Sequence, residues 1–211
     1  MWPDATNTQE LLDQAKAGNA DAVEQLLAKH REPIRRMIDL RLDPAIVQRL
    51  DASDVVQEVL IEANRRLQDY LKNPAMPFHL WLRHIAKDHL IDAHRRHHQA
   101  QNRGVNREQP IHRPAWSDRS SLELVGQLMD QDLTPASAAI QNEMQRRLRE
   151  AIEQLDDDDR EVILMRHYEM LGNQEVASSL GLTEAAASMR YLRAVRKLRD
   201  LLAPSAGERP A

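Results

Sequence analysis

Asn173 to Leu201 reads NQEVASSLGLTEAAASMRYLRAVRKLRDL, and this stretch decides the fold. Asn173 to Leu180 has the length of a short helix with Val176, Ala177 and Leu180 on one side. Gly181 suits the left-handed residue that ends such a helix, because glycine has no Cβ to clash there. Leu182 is an apolar turn residue, and Thr183 offers its hydroxyl as the N-cap of a second helix from Glu184 to Leu201. A short helix, a glycine turn and a longer capped helix spell a helix-turn-helix. Its second helix would enter a major groove by its N-terminal half. Ala185, Ala186 and Ala187 would allow close approach there, with Ser188, Arg190, Tyr191 and Arg193 in reach of bases or phosphates. The same spacing also fits a plain helical hairpin whose arginines face solvent.

Upstream, Asp156 to Asp159 precede a further expected helix, Arg160 to Met170. Four acids complement a helix N-terminus and lack the alternating ligands of a calcium loop. Helical periodicity begins near Ser137 and continues almost to Leu202. Between Gln101 and Pro135 the pattern decays into Gly, Pro, Asp and Ser, with room for a short helix from Leu122 to Met129. This segment reads as a partly ordered linker.

The N-terminal part predicts four helices. One begins at Asn7, with Glu10 completing a capping box, and breaks at Gly18-Asn19. Asp21 to about Leu42 spaces Val23, Leu26, Leu27, Ile34, Met37, Ile38 and Leu42 helically, with Pro33 expected to kink it. The Asp51–Asp54 cluster caps a third helix carrying Val55, Val56, Val59, Leu60, Ala63 and Leu67. After a Lys72–Pro77 loop (KNPAMP), a fourth helix has Phe78, Trp81, Leu82, Ile85, Ala86, Leu90 and Ile91 on its apolar face. Trp81, beside Leu82 and Ile85, is expected in the core rather than stacked on a base.

The whole chain thus reads as all-α: two small helical domains, 9–100 and 137–203, joined by linker 101–136. Its 211 residues are 42% hydrophobic and 3% aromatic, with six glycines, so the cores must be aliphatic. Cysteine is absent, which removes disulfides, thiolate zinc sites and cysteine nucleophiles. The opening MWPDATNTQE has neither a basic region nor an apolar run, predicting no signal peptide, and no stretch reaches the ~20 apolar residues of a membrane span. A cytoplasmic protein without membrane insertion is expected.

Net charge is −4, but its distribution says more. Asp51 to Tyr70 holds five acids and two arginines, Arg83 to Arg103 five bases and two acids, and Thr183 to Leu202 five bases and two acids. Alternating acidic and basic helices suit a chain that touches both a protein and a polyanion; each run alone also fits a solvated face. Six of the nine histidines lie between His79 and His98. No HExxH pattern occurs and arginines crowd the cluster, so no metal or other cofactor is expected. Exposed histidines facing DNA would strengthen binding as they protonate below about pH 6.5.

Two separated segments resemble the same family, that of sigma-70-type RNA polymerase sigma factors. Asp51-Ala-Ser-Asp-Val-Val-Gln-Glu-Val is similar to the polymerase-binding helix of region two. Phe78-His-Leu-Trp-Leu-Arg-His-Ile-Ala-Lys-Asp, followed by Asp92 and Arg95-Arg96, resembles the promoter-melting helix. Asp159 to Tyr168 and Asn173 to Arg199 resemble region four. The absence of other regions points to the extracytoplasmic-function subgroup. The alanine-rich recognition helix and the His-Arg-Arg-His-His segment look most like planctomycete-type members.

The resemblance implies a subunit, not an enzyme, that directs core polymerase to promoters and helps open them. Asp51, Asp54, Gln57 and Glu58 would dock on the clamp helices of the largest subunit, with Arg65 as an ion-pair partner. Lys72, Asn73, Lys87, Arg95 and Arg96 would handle minus-ten DNA. Thr183, Glu184, Ala186, Ser188, Arg190, Tyr191, Arg193 and Lys197 would meet minus-thirty-five DNA. The implied partners are core polymerase (clamp helices and flap), promoter DNA and an anti-sigma protein; Ser53, Ser120 and Ser121 are conceivable phosphorylation sites. Asp88 stands where many members carry asparagine, and Ser188 where a basic residue is frequent. The alternative from the residues alone is a stand-alone helix-turn-helix regulator. A histidine-metal hydrolase is motivated by the histidine cluster and by nothing else.

Overall fold

A computed structural model describes residues 2–42, 51–101, 118–129 and 138–203. It divides into two compact units, Met1–Ala115 and Trp116–Ala211. The described residues form helices and turns, with no strand among them.

In the first unit α1 (Ala5–Lys16) is capped by Asp4, whose carboxylate accepts from the Thr6 and Asn7 amides at 2.9 and 3.2 Å. The helix therefore starts before Asn7, and the expected capping box there is replaced by the earlier aspartate. It stops at Gly18, where φ is +89°. Helix α2 (Ala20–Asp39) opens on Asn19, which accepts from Ala22 N at 3.2 Å. Helical backbone runs on through Pro33, which is buried and gives up one ladder hydrogen bond. The helix ends before Leu42, which is nonetheless buried.

Helix α3 (Ala52–Lys72) is capped by Asp51, which accepts from Ser53 N at 2.8 Å. Lys72 is thus helical, and the loop before α4 (Phe78–Gln101) shrinks to 73–77. Helices α1, α2, α3 and α4 share one core of Leu11, Leu26, Ile34, Ile38, Val59, Leu67, Leu82 and Ala86, each at most 7% exposed. Burial of a Leu or Ile side chain contributes about 1.5–3 kcal/mol. His30 joins this core. Its Nδ1 lies 2.8 Å from Leu26 O, its ring meets Phe78 edge-on at 5.0 Å, and burial holds its pKa below 6.5. A neutral imidazole here packs as a flat ring. Trp81 is half-buried against Tyr70 (centroids 4.7 Å) and Phe78 (5.4 Å), the packing role expected of it. Ile91, by contrast, is 55% exposed and does not belong to the apolar face; Leu80 and Ala93 are buried on α4 instead.

The second unit contains α5 (Asp118–Met129), α6 (Ala138–Glu153), α7 (Asp157–Ile163), α8 (Asn173–Leu180) and α9 (Glu184–Leu202). Helix α5 lies inside the segment read as linker and starts four residues before the expected Leu122. Leu124 and Val125 are buried, and Ser121 Oγ lies 3.1 Å from Tyr168 Oη. Ser120 is buried as well. Both serines are therefore closed to a kinase in this fold. The single helix expected over Arg160–Met170 begins earlier, at Asp157, with Asp156 as cap, and its last turn widens into a π-helical turn at Leu164–Tyr168. That extra residue per turn buries Leu164, Met165 and Tyr168 together. Met170, at φ +58°, then reverses the chain in the left-handed region, which costs a non-glycine residue about 1 kcal/mol.

Candidate functional site

The connection between α8 and α9 is built as its residues dictate. Gly181 takes φ +63°, ψ +32°. Leu182 N donates to Ala177 O at 2.9 Å, and Thr183 Oγ1 accepts from Ala186 N at 3.1 Å. Asn173 Nδ2 donates to Glu184 O at 3.0 Å, tying the start of α8 to the start of α9. Val176 and Ala177 are buried, whereas Leu180 is half-buried rather than fully inward.

Helix α9 buries Ala187, Ala194 and Leu198. Ala187 is thus a core residue, not one of three alanines open to a groove. At roughly 100° per residue, the opposite side carries Ala185, Met189, Leu192 and Arg196, all exposed, with Met189 at 66% and Leu192 at 53%. Thr183, Glu184 and Ala186 are exposed at the N-terminal end and Ser188 is half-buried.

Three cations of α9, Arg190, Arg193 and Lys197, lie on a flank facing the acids that open α7. Arg190 Nη1 is 2.7 Å from Asp158, Arg193 Nη2 3.2 Å from Asp159, and Lys197 Nζ 2.6 Å from both Asp156 and Asp159. Asp159 has a fully buried side chain. Hydrogen bonding from Lys197, with the Asp159 amide, brings the Asp156 carboxyl down to about 2. Tyr191 Oη sits 3.0 Å from His167 Nε2, their rings stacked at 5.7 Å, and the Arg166 guanidinium lies 5.5 Å from the Tyr191 ring centre. Burial, then the Arg166 charge, lowers His167 to about 4, so the imidazole is neutral. Sequence reasoning found these four side chains and read Asp156 to Asp159 as acids at a helix start, but did not pair them with those acids or with His167. It also missed Met189 and Leu192, which helix phase counted from Ala187, Ala194 and Leu198 would have placed outside.

In the first unit, α3 turns Val55, Val56, Val59, Ala63 and Leu67 inward and presents Asp54, Gln57, Glu58, Ile61 and Arg65 outward. Ile61, 61% exposed, sits among those polar residues and was not singled out by sequence. Asp51 serves as the α3 cap. Arg65 bonds Glu62 at 2.7 Å, and Arg66 bonds the same carboxylate. Glu58 lies 3.4 Å from both Arg96 and His89, linking α3 to α4.

Along α4, Arg95 pairs with Asp92 at 3.0 Å and Lys87 is half-buried. Lys72 pairs with Asp69 at 3.0 Å and Asn73 is the C-cap of α3. Tyr70 Oη donates to Met76 O at 2.9 Å, bracing the 73–77 loop. His79, His84, His89 and His94 are half-buried rather than exposed; burial, with Arg83 and Lys87 nearby, lowers the His84 pKa. The side chains of His97 and His98 lie outside the described residues. Among the described residues no three His, Asp or Glu side chains are grouped to hold a metal ion, and no helix is long and apolar enough to cross a membrane.

Two family models match the chain: sigma-70 region 2 over residues 41–100, and sigma-70 region 4 over residues 145–198. A probable RNA polymerase sigma factor RfaY of Xanthomonas campestris is 33% identical over 159 residues, 75% of this chain and 36% of that protein. The chain thus spans about a third of that relative's length. It covers 87% of the ECF RNA polymerase sigma factor SigD of Mycobacterium tuberculosis, at 28% identity over 94% of this chain. Among solved structures, CnrH in complex with the cytosolic domain of CnrY matches with TM-score 0.58 and 25% identity, covering 94% of this chain and 97% of that one.

Proposed function

This chain belongs to the sigma-70 family, by a region 2 followed by a region 4, and we propose that it directs core RNA polymerase to specific promoters and helps to open them. One observation carries the reading: an outward acidic stripe on α3, a basic α4 and a helix-turn-helix succeed one another in the order of those two regions. Sigma factors are initiation factors without catalysis, and this chain is read as having none of its own. It would work in the cytoplasm, beside the polymerase.

The division of labour follows from what each helix has left after packing. Helix α3 has spent its apolar side on the core, so Asp54, Gln57, Glu58 and Ile61 remain for the clamp helices of the largest subunit. Complementary charge gives such docking its rate and register. Glu58 would there exchange Arg96 and His89 for a polymerase cation. Arg65, paired with Glu62, would frame the edge. Lys72, Lys87, Arg95 and Arg96 form a basic track for the separated strand, and the braced 73–77 loop, opened by Asn73, would receive an unstacked base. Helix α9 reads the upstream element, with Thr183 and Glu184 at its entry; Ala186, Ser188, Arg190, Tyr191, Arg193 and Lys197 line its groove and flank. The working boundaries are 9–100 and 137–203, with α5 serving as part of the second unit. An anti-sigma protein as regulator is supported by CnrH having been solved bound to a second protein.

The test is transcription from purified parts. Core polymerase plus this protein initiates at a promoter drawn from the source genome, and core alone does not. A double Asp54→Lys, Glu58→Lys variant, still folded by circular dichroism, loses core binding in a pull-down. Equal capture of both proteins removes the docking site. Specific duplex binding without any initiation would make the chain a stand-alone regulator.

A further inference from the structure

We infer that Met189 and Leu192 on α9 read the 5-methyl groups of thymines in the upstream promoter element, an inference that rests on the sigma-factor reading above. The side chains that read guanine or adenine in a major groove are long donors and amides. Here the long donors on this half of α9 are held elsewhere: Arg190 on Asp158, Arg193 on Asp159, and Tyr191 on His167. Ser188 is half-buried.

What the N-terminal half of the helix holds outward is apolar, with Arg196 following on the same side one turn after Leu192. Met189 and Leu192, 66% and 53% exposed, are three residues apart and so adjacent on one face. Ala185, a turn before Met189, is small and exposed, so the backbone can come close to base edges. A major groove edge carries a single apolar group, the thymine C5-methyl, and it distinguishes thymine from cytosine at that spot.

The surroundings favour DNA over a protein partner. Arg196, exposed one turn beyond Leu192, ends the stripe with a positive charge that suits a phosphate. The patch is two side chains wide, far smaller than a stable protein interface requires. The Gly181 turn and Thr183 cap hold this face as the leading surface of a helix-turn-helix.

The experiment uses the full chain assembled with core polymerase. Upstream duplexes are selected from a randomised library, and each thymine of the winning sequence is then replaced singly by 2′-deoxyuridine, which lacks only the methyl. Binding should weaken about fourfold at one or two positions, the factor expected from losing one buried carbon's worth of apolar contact. Met189→Ala should abolish that penalty at one position and Leu192→Ala at the other. Both residues are exposed, so melting curves should match wild type. Deoxyuridine tolerated at every position by the wild type overturns the inference, as does a penalty that survives in the double alanine variant. In either case initiation at the selected promoter would leave the sigma-factor reading standing. If the assembly neither selects a sequence nor initiates, that reading falls and the inference with it.

Discussion

Asp159→Asn separates two jobs that the acids before α7 perform at once. The Asp159 side chain is fully buried, and Arg193 and Lys197 reach it at 3.2 and 2.6 Å while remaining 56% and 44% exposed themselves. An amide keeps the shape and removes the charge. Because both cations can turn to water, the loss is of charge-assisted hydrogen bonds and not of a stranded buried ion, about 2 kcal/mol. For a unit of this size that lowers Tm by roughly 10 °C. DNA binding should move the other way. Released Arg193 adds at most one phosphate contact, because Lys197 keeps Asp156 at 2.6 Å, and that contact steepens the slope of log K against log salt by about 0.9. The assay is promoter-duplex binding by the assembled polymerase across a salt series, beside thermal melts of the protein alone. Asp158→Asn is the control: it releases Arg190 from a mostly exposed acid, so Tm should barely change and the slope should gain at most one contact. A destabilised Asp159→Asn protein with an unaltered salt slope would refute the argument that the acids hold these cations away from DNA.

His167 gives a pH signature. Its folded pKa of about 4 lies below the usual 6.5, so the unfolded chain binds the proton more readily. Stability is then undiminished above pH 6.5 and declines by about 3 kcal/mol as pH falls to 4. Denaturant melts across that window should show the slope in wild type and not in His167→Gln; equal slopes would mean another group titrates. Gly181→Ala should cost about 1 kcal/mol, since φ is +63° and no atom lies within 4 Å of the added Cβ, leaving conformation as the whole cost. Gly181→Asn should recover part of it, and an unchanged urea midpoint for the alanine variant would contradict the turn geometry.

Local chemistry made much of this fold legible. Asp51, Gly181 and Thr183 act where their side chains, or the lack of one, say they should, because capping and left-handed turns are decided within four residues. The α1 start was placed at Asn7 although Asp4 caps it, because both residues carry capping chemistry and three residues of sequence do not rank them. Helix α5 was read as part of a partly ordered linker, with room for a short helix only over Leu122–Met129, because Asp118, Ser120 and Ser121 are turn chemistry at its start. What orders it is distant, Tyr168 bonding Ser121 across 47 residues. The π-turn at Leu164–Tyr168 is equally unreadable, since it exists to bring three side chains into one core.

The site was legible in its residues and obscure in its direction. Sequence identifies Arg190, Arg193 and Lys197 as cations on the recognition helix, and Asp156 to Asp159 as acids suited to a helix N-terminus. It does not say that the two sets meet. In the fold Asp156 caps α7 through the Asp159 amide at 2.9 Å and also bonds Lys197. One group of acids therefore starts one helix and fixes the rotation of another. That rotation directs Arg190, Arg193 and Lys197 to the flank and leaves Ala185, Met189, Leu192 and Arg196 leading. The surface proposed to read the groove is thus set by an electrostatic contact behind it, and a change of charge at residue 159 should alter what α9 offers DNA without touching any side chain on its outward face.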